Sequence, residues 1–313
     1  MGSQDLNPQP FFGATTSEVQ EANLAVLGIP WDASSSFQIG AALAPQYIRT
    51  ATSGQLYNPY TEDLVNLKEK WKIYDWGDVH VPDDVQEAKD YLVKIHATLK
   101  TVLQENTDIN FLFLGGDHLS TYFSLTSLYE LGIFHNSGLI YLDAHPDLYL
   151  EYEASPYSHA CVVRRLIEEI QVDPKNIFQV GIRAATPSQA NFAKKMGITT
   201  ISAREFQQLG ADAVAKIIGN LLTNAVDSIY LSIDLDVLDP SCAPGVPNPE
   251  PGGLLTRDLV TFIQTLPKTP VRAFDVVELL PAKDITGITG FAAAKIIRET
   301  LGKIDPFSSI SED

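Results

Sequence analysis

The sequence predicts an α/β fold with three layers, α/β/α, around a mostly parallel central sheet. Short runs of strand length alternate with helical stretches through most of the 313-residue chain, as in layered α/β folds. The runs are apolar throughout, which is typical of strands buried on both faces of a parallel sheet. Six runs are recognised: Leu24–Ile29, Ile109–Leu114, Leu139–Leu142, Ile177–Gly181, Ser228–Ile233 and Val271–Val277.

The helical stretches lie between these runs and predict the outer layers. The stretch Asp84–Gln104 opens on Asp83 and Asp84, and acidic residues stabilise the N-terminus of a helix. Ala211–Leu222 and Ile288–Leu301 carry apolar residues three and four positions apart, which is the spacing of one helix face. These stretches are therefore predicted to be helices.

The chain is predicted to form one large domain behind a short arm. Residues 1–22 are polar and contain proline, which indicates an N-terminal arm, and residues 23–313 contain no low-complexity linker that would divide them. At 45% hydrophobic residues, the chain can bury a sizeable core. Pro240–Gly253 is rich in proline and glycine, and we interpret it as a functional loop inside the domain.

Composition excludes several classes of partner. Acidic residues outnumber basic ones by 39 to 22, giving a formal charge of −17, which disfavours binding to nucleic acids and anionic membranes. Cys161 and Cys242 cannot form a disulfide framework, so a reduced compartment is expected. The sequence has neither a signal-peptide pattern nor an apolar run of the ~18 residues that span a membrane. We therefore expect a soluble, cytoplasmic protein.

Three clusters of polar residues directly follow three of the predicted strands. In a strand, side chains two positions apart point to the same side, so each cluster aims its side chains into one space. Ligands of open α/β sheets bind beyond the carboxyl ends of the strands, which is where all three clusters fall. Their metal-binding side chains are His118; Asp143, His145 and Asp147; and Asp234 and Asp236.

This set of side chains predicts a centre with two metal ions. Imidazole and carboxylate ligands without thiolate suit hard or borderline divalent metals. Four carboxylates would leave a charge of −2 around one divalent ion, whereas two such ions neutralise them. Asp143 and Asp234 could bridge two ions about 3.5–4 Å apart, and a hydroxide shared between such ions is a nucleophile at neutral pH.

The motifs together resemble those of the ureohydrolase family of arginases and agmatinases, and agmatinases in particular. The resemblance covers about residues 24–300 and rests on six stretches. They are LGIPWDASSSFQIGAALAPQYIR (27–49), GGDH (115–118), DAHPD (143–147), SHACVVRR (158–165), SIDLDVLDP (232–240) and APGVPNPEPGGL (243–254).

The resemblance implies an arginase-like fold and two Mn²⁺ ions per subunit. One ion would be held by His118, Asp143, Asp147 and Asp234, and the other by Asp143, His145, Asp234 and Asp236. Residues 23–313 would form a single ureohydrolase catalytic domain. Family members of this kind assemble as trimers or hexamers, so a homo-oligomer is expected.

The resemblance also assigns catalytic roles. His159, in the SHA motif, matches the histidine that shuttles protons, and Glu278 matches the glutamate that receives the substrate guanidinium. Asp117, Asp239 and Asp275 are candidates for orienting the metal ligands.

The segment after the second cluster predicts the substrate. In arginases, an Asn two positions after the last Asp of D-x-H-x-D helps to hold the substrate α-carboxylate, and Tyr149 stands there. Residues 148–157 add Glu151 and Glu153 and contain no Lys, Arg or Asn. These three residues are therefore predicted to contact the substrate and to favour a cationic tail. Agmatine fits, and its products would be urea and putrescine, as in polyamine biosynthesis.

Two other interpretations remain open. The same chemistry could act on arginine, guanidinobutyrate or guanidine. Alternatively, the chain could be a catalytically silent ligand-binding or regulatory protein on the same scaffold. A silent relative has no need to keep six ligands together with His159 and Glu278, which argues against the second interpretation.

Overall fold

A single parallel sheet forms the centre of the molecule. The computed structural model describes residues 11–12, 15–53, 58–81, 87–223 and 225–307. Within these residues, eight strands are all paired in parallel, in the order β2-β1-β3-β8-β7-β4-β5-β6. The strands are β1 (Leu24–Ile29), β2 (Ile73–Asp78), β3 (Asn110–Gly115), β4 (Ser137–Leu142), β5 (Ile177–Ile182), β6 (Thr199–Ser202), β7 (Ser228–Asp234) and β8 (Val271–Val277).

Helices cover both faces of this sheet, so the predicted three-layer α/β/α fold is confirmed. On one face lie α1 (Ala44–Ala51), α2 (Leu67–Lys70), α7 (Ala203–Leu209), α8 (Ala211–Leu222), α9 (Thr256–Thr265) and α10 (Ile288–Lys303). On the other lie α3 (Ala88–Glu105), α4 (Leu119–Glu130), α5 (Val162–Glu169) and α6 (Pro187–Met196).

The apolar side chains of the strands pack into two separate hydrophobic cores. In β3, Leu112 and Leu114 pack into the core on one face, and Phe111 and Phe113 pack into the core on the other. All four side chains are fully buried, and burial of one such side chain contributes about 1.5–3 kcal/mol. Both faces need apolar residues, which explains why the strand sequences do not alternate.

The two strands that the sequence did not predict are the edges of the sheet. β2 and β6 are only partly buried. Both strands include polar residues, because a side chain of an edge strand can face solvent or bind another polar side chain. In β2, Asp75 accepts hydrogen bonds from the buried guanidinium of Arg49, with both N–O distances at 2.9 Å. An edge strand of this kind lacks the apolar run that identified the central strands.

The predicted helices agree with the structure where it is described. α8 has the predicted bounds, and α10 begins at Ile288 as predicted and continues to Lys303. The predicted start at Asp83 and Asp84 lies outside the described residues. The structure describes α3 from Ala88 onwards. Among the described residues, no helix has the length and apolar character to cross a membrane.

The predicted arm, residues 1–22, lies largely outside the described residues. Of the part that is described, Phe11 packs into one core and Val19 into the other. The backbone N–H of Phe11 donates to a carboxylate oxygen of Asp75 at 2.7 Å. The domain boundary at residue 22 stays a prediction.

Candidate metal centre and active site

The site residues follow the carboxyl ends of four neighbouring strands at the centre of the sheet. β3, β8, β7 and β4 are adjacent in that order. Their carboxyl ends are level, because Val276 pairs with Leu114 and Ile233, and Ile233 pairs with Leu142. The turn after β3 requires Gly116, since a Cβ there would lie 1.9 Å from the carbonyl oxygen of Trp31. This close approach of two backbone segments sets His118 at the strand end.

Carboxylate oxygens surround the imidazole of His118. Its Nδ1 lies 3.0 Å from Oδ2 of Asp143, 3.0 Å from Oδ2 of Asp234 and 3.5 Å from Oδ2 of Asp147. One N–H cannot donate to three carboxylates at once, and such convergence of donor atoms is typical of a metal-ligand shell.

A second group adjoins the first and shares Asp143. Nδ1 of His145 lies 2.8 Å from Oδ2 of Asp236 and 3.5 Å from Oδ1 of Asp143. The ligand atoms of His118, Asp143 and Asp234 lie within 4.8 Å of one another, as do those of Asp143, His145 and Asp236. Both triads could therefore hold a metal ion.

An unpaired buried atom of Asp143 tests whether these residues fit metal ions. Its Oδ2 has no hydrogen-bond partner among the described residues, although His118 Nδ1 is only 3.0 Å away. A buried carboxylate oxygen without a partner is costly. A cation between Asp143 and the neighbouring ligands would satisfy it, so the donor set fits two divalent ions.

Electrostatics give the same answer. Burial and the charge of Asp143 raise the pKa of Asp147 to about 7. Burial, followed by the charges of neighbouring carboxylates, also raises the pKa of Asp234 and of Asp236. Four carboxylates held this close repel one another, and divalent cations would relieve that repulsion.

A chain of buried hydrogen bonds orients His118. Ser232 Oγ donates to Oδ1 of Asp275 at 2.9 Å and lies 2.9 Å from Nε2 of His118. Because the serine proton is directed to Asp275, Ser232 accepts from Nε2–H of His118. The proton on Nε2 leaves the lone pair on Nδ1, the nitrogen that faces the carboxylates. Such outer partners fix the tautomer of a ligating histidine.

The other two candidate orienting residues hold backbone segments. Asp117 is fully buried and accepts from the backbone N–H groups of Ser34 and Leu119, at 2.9 and 3.0 Å. Asp239 accepts backbone N–H bonds from both ends of the loop 241–253. Asp117 therefore ties the loop of Ser34 to the site, and Asp239 fixes the Pro/Gly-rich loop.

Glu278 and His159 form a hydrogen-bonded pair beside the triads. Oε1 of Glu278 lies 2.8 Å from His159 Nδ1 and accepts the backbone N–H of His118 at 2.8 Å, while Oε2 is buried without a partner among the described residues. Glu278 and Asp147 have φ angles of 61° and 46°. Such angles cost on the order of 1–3 kcal/mol in a non-glycine residue and cluster at functional sites.

Neighbouring carboxylates set the protonation of His159. Burial alone lowers the pKa of the imidazole, but the charge and hydrogen bond of Glu278, together with the charges of Asp117 and Asp147, raise that pKa to about 9. Nε2 of the same ring lies 2.8 Å from Oγ of Ser36 and 3.5 Å from Nδ2 of Asn248.

Ser36 and Asn248 were not predicted as site residues. Both belong to loops quoted for the family resemblance, 27–49 and 243–254. Membership of those motif loops was the only signal in the sequence that could have identified them.

A cavity of about 650 Å³ opens over the triads. Its lining is acidic: Asp147, Glu153, Asp234, Asp236, Glu250 and Glu278 contribute carboxylates, and no Lys or Arg of the described residues lines it. Phe37, Tyr149 and Tyr152 are its aromatic walls, and the two tyrosine rings pack with centroids 5.1 Å apart. The cavity therefore suits an organic cation.

The structure brings together all but one of the predicted site residues. The six predicted ligands form the triads and their surroundings, His159 and Glu278 lie beside them, and Tyr149 and Glu153 line the cavity. Glu151 is exposed and lines a separate depression with Arg164 and Phe192. A direct contact of Glu151 with a substrate in the cavity is therefore not supported by its position.

The two cysteines are free, and neither belongs to a triad. Cys161 is buried, and burial raises the pKa of its thiol to about 11. The thiol therefore stays protonated at neutral pH, as expected for a small buried side chain.

Residues 22–302 match the arginase family. The chain belongs to this family. A mitochondrial arginase from Medicago truncatula is 38% identical over 288 residues, covering 90% of this chain and 82% of the relative. An agmatinase from Bacillus subtilis is 30% identical over 295 residues, covering 93% and 94%. Identity is thus higher to the arginase, and the expected closeness to agmatinase is not established.

A solved structure of another protein shares the fold. Proclavaminate amidinohydrolase from Streptomyces clavuligerus superposes with a TM-score of 0.84 at 28% identity, covering 94% of this chain and 96% of the other. The family is one of metal-dependent ureohydrolases that act on guanidino compounds, so the chain is a ureohydrolase with a binuclear metal site.

Proposed function

We propose that this arginase-family protein is a Mn²⁺-dependent agmatinase that hydrolyses agmatine to putrescine and urea. The observation that carries the proposal is the acidic cavity over the two triads, which Lys and Arg side chains of the described residues do not line. Once two divalent ions balance the ligand carboxylates, Glu153, Glu250 and Glu278 remain in the lining to pair with a cationic substrate, and agmatine is cationic at both ends.

The six predicted ligands would hold the two ions. His118, Asp143, Asp147 and Asp234 would bind one, and Asp143, His145, Asp234 and Asp236 the other. When bound, such a pair of divalent ions lowers the pKa of a shared water so that it can act as a nucleophile near neutral pH.

Glu278 would bind and orient the guanidinium. Its Oε1 accepts the N–H of His118 and lies beside His159 Nδ1, whereas Oε2 is buried and has no hydrogen-bond partner among the described residues. A charge-assisted hydrogen bond to a buried carboxylate is stronger than a neutral one. Binding one edge of the guanidinium at Oε2 would turn its carbon towards the triads and hold it in position for attack.

His159 would supply the proton that the leaving amine needs. The ring is next to Glu278 and lines the cavity, so it is within the space that the substrate would occupy. A pKa of about 9 in the protein without ions keeps the imidazole protonated at neutral pH, as a general acid requires.

The outer part of the cavity would receive the distal cation of agmatine. Glu153, Glu250, Tyr149 and Tyr152 line the cavity. The two glutamates would provide carboxylates for this cation, and the two tyrosines would provide ring faces that attract it. Arg183 fixes the backbone of this wall by donating to the carbonyl oxygens of Glu250 and Asp236, at 3.0 and 2.7 Å. The wall is therefore tied to the loop that carries a metal ligand.

Arginine is the second candidate substrate, and the 38% identity to the Medicago arginase favours it. Its α-carboxylate would meet Glu153 and Glu250 in a cavity without Lys or Arg among the described lining residues. Repulsion between carboxylates would weaken its binding, whereas its α-amino group would offset part of that repulsion. Guanidinobutyrate lacks the amino group and fits worst.

A urea-release assay with Mn²⁺ tests the proposal. Agmatine, arginine, guanidinobutyrate and guanidine are compared at equal ionic strength, and kcat/KM for agmatine is expected to exceed that for arginine by at least about tenfold, or roughly 1.4 kcal/mol. A higher kcat/KM for arginine would show that arginine is the preferred substrate and would leave the proposed metal chemistry unchanged. No urea from any of the four would support a silent relative.

We further propose a homo-oligomer of three or six subunits, by analogy with the family, and a cytoplasmic location. Sedimentation equilibrium measures the first directly, because a monomer of 34.3 kDa is well separated from either assembly. Fractionation of the source cells tests the second, and recovery in an organelle such as the one named for the Medicago relative would overturn it.

A further inference from the structure

The imidazole of His159 is held on both sides by hydrogen-bonding groups. Nδ1 faces Oε1 of Glu278 at 2.8 Å. On the other side, Nε2 lies 2.8 Å from the hydroxyl oxygen of Ser36 and 3.2 Å from its backbone nitrogen. Asn248 Nδ2 is farther away at 3.5 Å. Ser36 therefore occupies the direction in which a proton on Nε2 would point.

The chemistry of these contacts decides where the protons lie. Glu278 is a carboxylate and accepts the proton of Nδ1, whereas the backbone N–H of Ser36 can only donate and therefore favours a lone pair on Nε2. The hydroxyl of Ser36 can donate to that lone pair or accept from Nε2–H. It is thus the contact of Nε2 that suits both the neutral and the protonated ring.

Charged groups reach His159 from three strand ends. Glu278 follows β8, Asp117 follows β3 and Asp147 follows β4, and all three favour the protonated imidazole, while burial opposes it. The loops of Ser36 and Asn248 bring the uncharged groups already described. The imidazole therefore meets a carboxylate at Nδ1 and a neutral hydroxyl at Nε2, and that hydroxyl belongs to Ser36, a residue that lines the cavity.

We propose that Ser36 relays the proton from His159 to the leaving amine of the substrate. The Nε2–H bond breaks as a new Oγ–H bond forms, and the original Oγ–H bond breaks as an N–H bond forms on the amine. Two protons shift in this step, and the net result is that one proton passes from His159 to the amine. His159 becomes neutral, and Ser36 keeps its hydroxyl. Solvent water reprotonates His159 by the reverse route. This relay rests on the proposed role of His159 in urea formation.

The test compares Ser36→Ala and Ser36→Thr with the neighbouring variant Ser35→Ala. Among the described residues, Oγ of Ser35 is buried and has no hydrogen-bond partner, which makes it a matched control. Ser36→Ala should lower kcat at least about tenfold with little change in KM, since a lost proton-transfer group slows the chemical step. Ser36→Thr should restore most of kcat, and Ser35→Ala should behave like the wild type.

A proton inventory in H₂O–D₂O mixtures provides a readout that a structural role would not change. The rate of the wild type should curve with deuterium fraction because two protons move together, and that of Ser36→Ala should be linear. A linear wild-type inventory overturns the relay without requiring any variant to fold. Unchanged kcat in Ser36→Ala, or no recovery in folded Ser36→Thr, also overturns it.

His159→Ala separates this inference from the proposed function. If His159→Ala lowers kcat and Ser36→Ala does not, only the relay is wrong. If neither lowers kcat, the role of His159 in urea release is wrong as well.

Discussion

Nδ1 of His159 lies 2.8 Å from Oε1 of Glu278, so the proposed proton carrier and the proposed guanidinium-binding residue form one pair. Glu278 uses one oxygen to hold the histidine, and its other oxygen, Oε2, has no hydrogen-bond partner in the part of the chain that the structure describes. Substrate binding at Oε2 and proton delivery by His159 are thus arranged around a single carboxylate. Loss of His159 and loss of Glu278 should therefore change kcat and KM in different ways.

Replacing His159 by Ala should lower kcat by about 10²–10⁴, with a smaller change in KM, because a proton-transfer group is lost while Glu278 remains. Replacing Glu278 by Gln should raise KM as well as lower kcat, since the charge opposite the guanidinium is lost. Steady-state urea release measures both variants. The role of His159 is wrong if kcat of His159→Ala equals that of the wild type.

Removal of metal ions should abolish activity and destabilise the fold. Two divalent ions would compensate the buried carboxylates, and a ligand that binds only the folded state stabilises it. Chelated protein should have a lower melting temperature and should recover activity best with Mn²⁺. Asp143→Ala should impair recovery more than His118→Ala, because Asp143 belongs to both triads. Full activity in protein shown to be metal-free would contradict the binuclear centre.

Ser232→Ala should weaken metal binding without removing a ligand. The variant breaks the chain from Asp275 to Nε2 of His118, and loss of such an outer partner typically costs 10–100-fold in metal affinity. Competition with a fluorescent chelator measures the affinity. Ser127→Ala is the matched control, because its buried hydroxyl has no partner among the described residues. Equal affinities for the two variants would exclude an orienting role for Ser232.

The stability of chelated protein should depend on pH through His159. The pKa of this histidine is raised to about 9 in the folded chain from an ordinary value near 6.5. A raised histidine pKa stabilises the fold fully below the unfolded value, and this contribution is lost as pH rises from about 6.5 through 9. The free energy of unfolding, measured with urea at pH 6 and pH 9, should therefore fall more in the wild type than in His159→Gln, by on the order of 3 kcal/mol. Equal losses would show that His159 titrates near its ordinary value.

The sheet centre and the metal triads could be predicted from the sequence for two physical reasons. Strands buried on both faces are apolar throughout, which identifies the centre of the sheet. Side chains two residues apart project together beyond a strand end, so Asp143, His145 and Asp236 could be placed in the site from the sequence alone. Ser36 could not, because it lies in a loop and its contact with His159 spans 123 positions of the chain. Such a loop has no periodicity from which a side-chain direction could be deduced.

Glu151 and Glu153 show how the same limit affects specificity. Two acidic residues two positions apart would share a side in a strand, but this segment is irregular, and Glu153 has a φ of 50°. Glu153 lines the cavity, whereas Glu151 lines the depression next to it. Only the structure added Glu250, which comes from the distant Pro/Gly-rich loop.

The different positions of Glu151 and Glu153 provide a test of the substrate preference. Glu153→Gln and Glu250→Gln should each reduce the ratio of kcat/KM for agmatine to that for arginine, because each variant removes a carboxylate that attracts the distal cation and repels the α-carboxylate. Glu151→Gln removes the same charge from outside the cavity and is the matched control. Its effect should be smaller and should vanish first as salt is added, since a charge that acts from outside the cavity is screened over about 10 Å at 0.1 M. If Glu151→Gln changes the ratio as much as Glu153→Gln does, net charge and not contact within the cavity determines the preference.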